Sequence, residues 1–140
     1  MRISLIFVTV DILIIKEIDA TNSILLIKRK NDPFKDSWAL PGGFVDENED
    51  LEAAAKRELQ EETKIKIDNL EQLKAFGKPF RDTRSHVVSV AFIGFVPPET
   101  SAFASDDAKE AKWFSVNDLP KLAFDHDEII NFGILKFNIK

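Results

Sequence analysis

Apolar residues along this chain fall into runs that alternate between strand-like and helix-like spacing. Ile3 to Ile15 is largely apolar, rich in β-branched residues, and carries one charge, Asp11. Such a run reads as a buried strand, placed here at Leu5–Lys16, with a second at Ile24–Lys30 after the polar turn Asp19-Ala20-Thr21-Asn22-Ser23. Asn31-Asp32-Pro33 begins a loop, and Trp38-Ala39-Leu40 is a short strand leading into Pro41-Gly42-Gly43. From Asn48 or Glu49 to Thr63 the spacing turns helical. Leu51, Ala54, Ala55 and Leu59 form one apolar side, and an acidic first turn suits the positive end of the helix. Ile65–Ile67, Leu70–Phe76 and Val87–Val96 return to strand character, the last ended by Pro97-Pro98, since proline cannot donate to a ladder. Ala111–Phe114 is a further short strand and Asn117–Pro120 a turn or short helix. Asp125–Lys136 is a helix with Ile129, Ile130, Phe132 and Leu135 as its apolar face. This order predicts an α/β fold, a mixed sheet flanked by helices in one domain spanning 1–140, with no repeat and no linker.

Composition narrows the chemistry. The chain has 140 residues, 44% of them hydrophobic, enough for a core of its own. With no cysteine there is no disulfide, thiol nucleophile or zinc-thiolate centre. A net charge of −5 argues against a nucleic-acid partner, which calls for a basic surface. The N-terminal apolar run is too short to span a bilayer and carries Asp11, so no membrane partner is expected and the cytoplasm is the expected compartment.

The densest chemical signal lies between Gly43 and Ile65, where Glu49 is followed by Arg57-Glu58-Leu59-Gln60-Glu61-Glu62. Glu58, Glu61 and Glu62 are spaced i, i+3, i+4 and project from nearly one side of a helix. Three like charges in one turn weaken an isolated helix. An oxygen-seeking divalent cation reverses that penalty, because Mg²⁺ binds carboxylates together with waters and substrate phosphates. A run of glutamates on a helix is ordinarily a solvated face. The glycine pair, the Arg-Glu pair and the spacing turn the reading here towards metal-dependent phosphate chemistry.

The segment GFVDENEDLEAAAKRELQEETKI resembles the Nudix box, Gly-x5-Glu-x7-Arg-Glu-(apolar)-x-Glu-Glu-x-Gly-(apolar), and matches it at every defining position from Gly43 to Glu62. One position departs: Lys64 stands where the family has glycine, at a place suited to a left-handed helix end. The resemblance implies the Nudix α/β/α sandwich with a loop-helix-loop catalytic motif, and hydrolysis of a pyrophosphate linkage. It also implies metal ligands at Glu58 and Glu62, with Glu61 bridging or completing the set and the Gly43 carbonyl as a further donor. Glu49 and Arg57 are expected to brace the motif by ion pairing. Similar enzymes place one more acid on a loop before the Trp-containing strand. Asp107, six residues before Trp113, is the candidate general base, with Glu110 three residues before Trp113, or Glu58 or Glu62 themselves, as the other choices.

Other segments narrow the branch. Val8-Thr9-Val10-Asp11, Ser37 to Val45, Arg81-Asp82-Thr83-Arg84, Val88 to Phe92, Asp106 to Phe114 and Leu122-Ala123-Phe124-Asp125-His126 together look like ADP-ribose pyrophosphatases. On that resemblance the substrate is ADP-ribose, split to AMP and ribose 5-phosphate, and the cofactor is Mg²⁺, with Mn²⁺ as the substitute. Arg29, Arg81 and Arg84 are candidates to hold the diphosphate, because guanidinium forks match phosphate oxygens; a surface ion pair is the competing reading for each. Phe44 or Phe80 is the candidate to stack on adenine. His86 and His126 lack metal-ligand spacing and read as hydrogen-bonded structural residues. Two alternatives stand beside this. One is MutT-like hydrolysis of oxidised nucleoside triphosphates. The other is a non-catalytic ADP-ribose-sensing regulator, which the intact box glutamates and the few residues beyond the last helix disfavour. Similar ADP-ribose hydrolases are often homodimers, so a second copy of the chain is a candidate partner.

Overall fold

A computed structural model describes all 140 residues. Seven strands form one mixed sheet: β1 Phe7–Ile18, β2 Thr21–Arg29, β3 Trp38–Ala39, β4 Gly42–Phe44, β5 Glu71–Phe76, β6 Val87–Phe95 and β7 Ala108–Ser115. Two helices accompany them, α1 at Leu51–Thr63 and α2 at His126–Phe137. The sheet runs β3-β2-β1-β6-β5, with β4 added to β1 and β7 to β2. Only β1 and β6 run parallel. The expected mixed sheet between helices is the observed one.

Layering follows from the two-residue period of β1. Val10, Ile12 and Ile14 point to one face, where they pack with Ala54, Ala55 and Leu59 of α1. Leu13 and Ile15 point to the other, where Ile129 and Ile130 of α2 cover them. Burial on both faces explains why the run is apolar throughout rather than alternating. The successive alanines of α1 let the helix lie close to the sheet.

Several boundaries differ from expectation. The β1–β2 connection is a two-residue turn, Asp19-Ala20, with both φ values positive (50° and 65°), and Thr21, Asn22 and Ser23 belong to β2. Primed turns of this kind match strand twist, which is why the strands stay paired up to Ile18 and Thr21. Ile65–Ile67 is not a strand. Those two isoleucines face the core beneath the end of α1, and packing alone accounts for their alternation. Gly42–Phe44, to which the sequence pattern assigns no element, forms β4 against Thr9–Asp11.

One edge of β1 changes partner along its length. Residues 15–18 pair with β2, whereas residues 9–11 pair with β4. A cleft lies at that divergence, bordered by β1, β2, β4 and the C-terminal half of α1.

Candidate active site

The cleft measures about 380 Å³, and polar side chains dominate its walls. It brings together Arg29, Gly43, Phe44, Glu58, Glu62, Arg81, Arg84 and Asp107, residues from five separate parts of the chain. Of the candidate metal, base and substrate residues, Glu61, Phe80 and Glu110 do not border it, and neither do the bracing Glu49 and Arg57. Phe80 is 93% exposed. Glu61 sits on the neighbouring surface of α1 beside Gln60, Lys64 and Asp106, and accepts hydrogen bonds from Arg57 at 3.2 and 3.3 Å.

The two carboxylates on the cleft side are sheltered. Glu62 is only 5% exposed, and its Oε1 accepts a hydrogen bond from the Gly42 amide at 2.8 Å. Burial pushes its carboxyl up to about 8; the Gly42 amide opposes this, while Glu58, Asp107 and Asp11 add to it. Glu58, with a side chain 12% exposed, is also raised by burial, and its hydrogen bond from Arg57 at 2.8 Å opposes the rise. The backbone at Gly43 passes directly against Glu58: a Cβ there would lie 2.6 Å from the carboxylate, so any larger residue would displace it.

Arg57 is the hub on the other side. It donates to Glu49 at 2.7 and 2.9 Å, to Glu58, to Glu61 and to the Phe44 carbonyl at 3.1 Å, and lies 3.5 Å from Asp46. The guanidinium beside Glu49 holds that carboxyl down to about 2, helped by the Asp46 amide. Arg57 itself is raised, chiefly by Glu49. Arg57 and Glu49 thus tie the loop after β4 to the middle of α1.

The helix ends where the box glycine would stand. Lys64 adopts φ 66° and ψ 5°, the left-handed conformation, and its amide donates to the Gln60 carbonyl at 2.9 Å. The turn keeps the geometry suited to glycine at a cost of roughly 1 kcal/mol for a residue with a Cβ. Beyond it, the Phe103 and Ser105 amides donate to the Thr63 and Glu62 carbonyls at 2.9 and 3.1 Å, docking the loop that carries Asp107 onto the end of α1. Asp107 borders the cleft, and its Oδ1 accepts from Asn31 at 3.4 Å. Glu110, on β7, pairs across to Lys28 on β2, 3.4 Å away, and does not border the cleft.

The three arginines differ. Arg81 is 4% exposed and forked onto both oxygens of Asp125 at 2.8 and 2.5 Å, so its donors are largely committed within the protein. Arg84 is held by Asp82 at 2.7 and 3.0 Å and lies 4.9 Å from the Phe44 ring centre and 5.4 Å from that of Phe124. Arg29 lies 5.1 Å from the same Phe124 ring. Its Nε donates to the Pro33 carbonyl at 2.7 Å, and its guanidinium is lowered by burial first and by Arg84 second, with Glu62, Asp82 and Asp11 opposing. His126 is buried and accepts a hydrogen bond from the Leu40 amide, in keeping with a structural histidine. His86 meets the Gly77 carbonyl at 3.1 Å, far from this network.

Among the cleft residues without an assigned role are Asp11, Asp82 and Phe124. For Asp11 a signal existed. A carboxylate in an otherwise aliphatic strand is costly to bury unless something uses it.

The donors present suit a hard divalent cation. Glu58 and Glu62 present carboxyl oxygens to a sheltered cleft, with the Gly42 amide on Glu62 and the shared Arg57 on Glu58 as their hydrogen-bond donors. No group of three histidine or acidic side chains is arranged to hold a metal ion on its own.

A family model for the NUDIX domain matches residues 7–132. The chain is 52% identical over 116 residues to the ADP-ribose pyrophosphatase of Methanocaldococcus jannaschii, covering 81% of this chain and 66% of that protein. It is 35% identical over 136 residues to the ADPR responsive transcriptional repressor NtrR of Acinetobacter baylyi, covering 94% of this chain and 54% of that one. Thus the chain spans about two thirds or less of the length of these curated relatives. Among solved structures, the NUDIX domain of Shewanella oneidensis NrtR complexed with ADP ribose superposes with a TM-score of 0.89 at 31% identity, covering 96% of this chain and 90% of that one.

Proposed function

Since the chain belongs to the Nudix family, we propose that it is a divalent-metal-dependent pyrophosphohydrolase whose substrate is ADP-ribose, released as AMP and ribose 5-phosphate. The observation that carries this reading is the pairing of two sheltered carboxylates, Glu58 and Glu62, with two crowded guanidiniums, Arg29 and Arg84, across one cleft. A diphosphate bridged by cations complements both halves. The pyrophosphatase relative and the ADP-ribose complex support the choice of nucleotide.

Glu58 and Glu62 hold the cation, with the Gly43 carbonyl as a further donor; Mg²⁺ is the physiological ion and Mn²⁺ its substitute. When bound, the cation neutralises phosphate charge and lowers the pKa of an attacking water. Arg29 and Arg84 grip the diphosphate, and the exposed ring of Phe44 offers a stacking face to adenine. Asp107 accepts the proton of the water as its oxygen attacks phosphorus, and the bond from phosphorus to the bridging oxygen breaks to release the two monophosphates. Arg81 braces this wall through Asp125. Glu61 stands outside the cleft and tunes Arg57. Glu49 and Arg57 hold the motif.

No helix is long and apolar enough to cross a membrane. We further propose a cytoplasmic enzyme that acts on a small nucleotide rather than nucleic acid, with a second copy of the chain as its candidate partner. The repressor relative supports a second reading, nucleotide sensing without turnover. A turnover panel with Mg²⁺ covering ADP-ribose, NADH, diadenosine polyphosphates and 8-oxo-dGTP separates these. ADP-ribose is expected to give the highest kcat/KM. Preference for 8-oxo-dGTP overturns the substrate, and ADP-ribose binding without hydrolysis favours the sensor.

A further inference from the structure

The segment Leu40–Gly43 carries the backbone against which both cleft carboxylates rest. The Gly42 amide meets Glu62 at 2.8 Å, and Gly43 backs onto Glu58. What holds that segment is a buried polar chain behind it. The Leu40 amide donates to His126 Nδ1 at 3.0 Å. A ring nitrogen that accepts carries no proton, so neutral His126 bears its hydrogen on Nε2. Nε2 faces Asp11 Oδ1 at 3.4 Å, and Asp11 Oδ2 accepts the Ser89 hydroxyl at 2.5 Å. Asp11 also abuts the segment directly: it pairs with Gly42 across β1 and β4, and a Cβ on Gly42 would lie 2.5 Å from Asp11 Oδ1. His126 opens α2 and Ser89 lies in β6, so three elements from distant parts of the chain converge on this one stretch of backbone.

We propose that Asp11 and His126 are positioning residues: they fix the Leu40–Gly43 backbone, and through it set the cation affinity of Glu58 and Glu62. The proposal rests on the reading of those glutamates as cation ligands and is independent of which nucleotide is hydrolysed. Partners that orient ligands in this indirect way typically matter by about 10–100-fold in metal affinity or activity. The required chemistry is an acceptor at one end of the side chain and a donor at the other. Glutamine offers both, whereas leucine offers neither.

The test compares wild type, His126→Gln and His126→Leu by Mn²⁺ titration followed by electron paramagnetic resonance, with amide exchange at Leu40 and Gly42. His126→Leu is expected to weaken Mn²⁺ binding about 10–100-fold and speed exchange of both amides, with His126→Gln recovering most of each. Wild-type Mn²⁺ affinity in the leucine variant overturns the proposal, as does a glutamine variant no better than leucine. Nitrogen NMR of wild-type His126 decides the matter even where variants misfold. A proton on Nε2 with bare Nδ1 supports the arrangement, and a proton on Nδ1 refutes it. Absence of ADP-ribose turnover in wild type would remove the proposed substrate, while these readouts still judge the positioning role.

Discussion

On the outer side of α1, Glu49 accepts two hydrogen bonds from Arg57, and its carboxyl is held down to about 2. On the cleft side, Glu62 receives one from the Gly42 amide, and burial pushes it up to about 8. Both are glutamates of one loop-helix motif. The difference is the fixed partner: negative charge matched by a built-in guanidinium braces the structure, and charge sheltered without a full partner is suited to an exchangeable cation. Glu58 stands between these cases, sharing Arg57 while bordering the cleft.

The comparison breaks most decisively at Glu62. Glu62→Gln removes one ligand charge while keeping shape, so kcat for ADP-ribose is expected to fall about a hundredfold or more, consistent with several kcal/mol of charge stabilisation. The melting temperature without metal should stay near wild type, whereas the rise on adding Mg²⁺ should vanish. Undiminished turnover would remove Glu62 from the ligand set.

Arg57→Ala attacks the other side. Leaving Glu49, Glu58 and Glu61 without their shared donor is expected to lower unfolding free energy by about 1–3 kcal/mol, read by urea denaturation. A linked pH effect isolates the brace. Glu49 has a depressed carboxyl, so its contribution is complete above the unfolded value near 4.3 and is lost as pH falls towards about 2. Glu49→Gln should therefore flatten the stability curve between about pH 5 and 2. A curve as steep as wild type would show that the ion pair contributes nothing there.

Glu61→Gln sharpens the contrast within one helical turn. Lying outside the cleft, Glu61 is expected to affect kcat by less than about tenfold, under 1.4 kcal/mol. A loss as large as that of Glu62→Gln would mean that Glu61 swings into the cation shell. The smallest effect is at the helix end. Lys64→Gly should raise stability by about 0.5–1 kcal/mol, because glycine adopts φ 66° without strain, and should leave kcat unchanged.

The distinction among the three acids shows where sequence reasoning stops. Advancing about 100° per residue, Glu62 lies about 40° to one side of Glu58 and Glu61 about 60° to the other. All three fit one broad face. Which of them meets the cleft depends on how Ala54, Ala55 and Leu59 seat the helix on the sheet, and that rotation is set by tertiary packing. β1 and α1 were legible because one is a long apolar run rich in β-branched residues and the other keeps a helical period, whereas the three-residue β4 is too short to show a pattern. The turn at Asp19 was legible but its two-residue extent was not, because Ala20 carries none of the usual residue preference for positive φ. Arg81 was also ambiguous: its partner Asp125 lies 44 positions away, beyond any local pattern. Asp107 and Glu110 were separable only once the loop docked on Glu62 and Thr63 was in view.

The central claim is that Glu58 and Glu62 gather a divalent cation against a diphosphate. Its most direct test is a crystal structure with Mn²⁺ and a non-hydrolysable ADP-ribose analogue, using anomalous scattering to place the ion. The account predicts manganese within about 2.0–2.6 Å of oxygens from both glutamates and of a phosphate oxygen. Manganese bound elsewhere, with both carboxylates turned to bulk water and distant from the diphosphate, would contradict it.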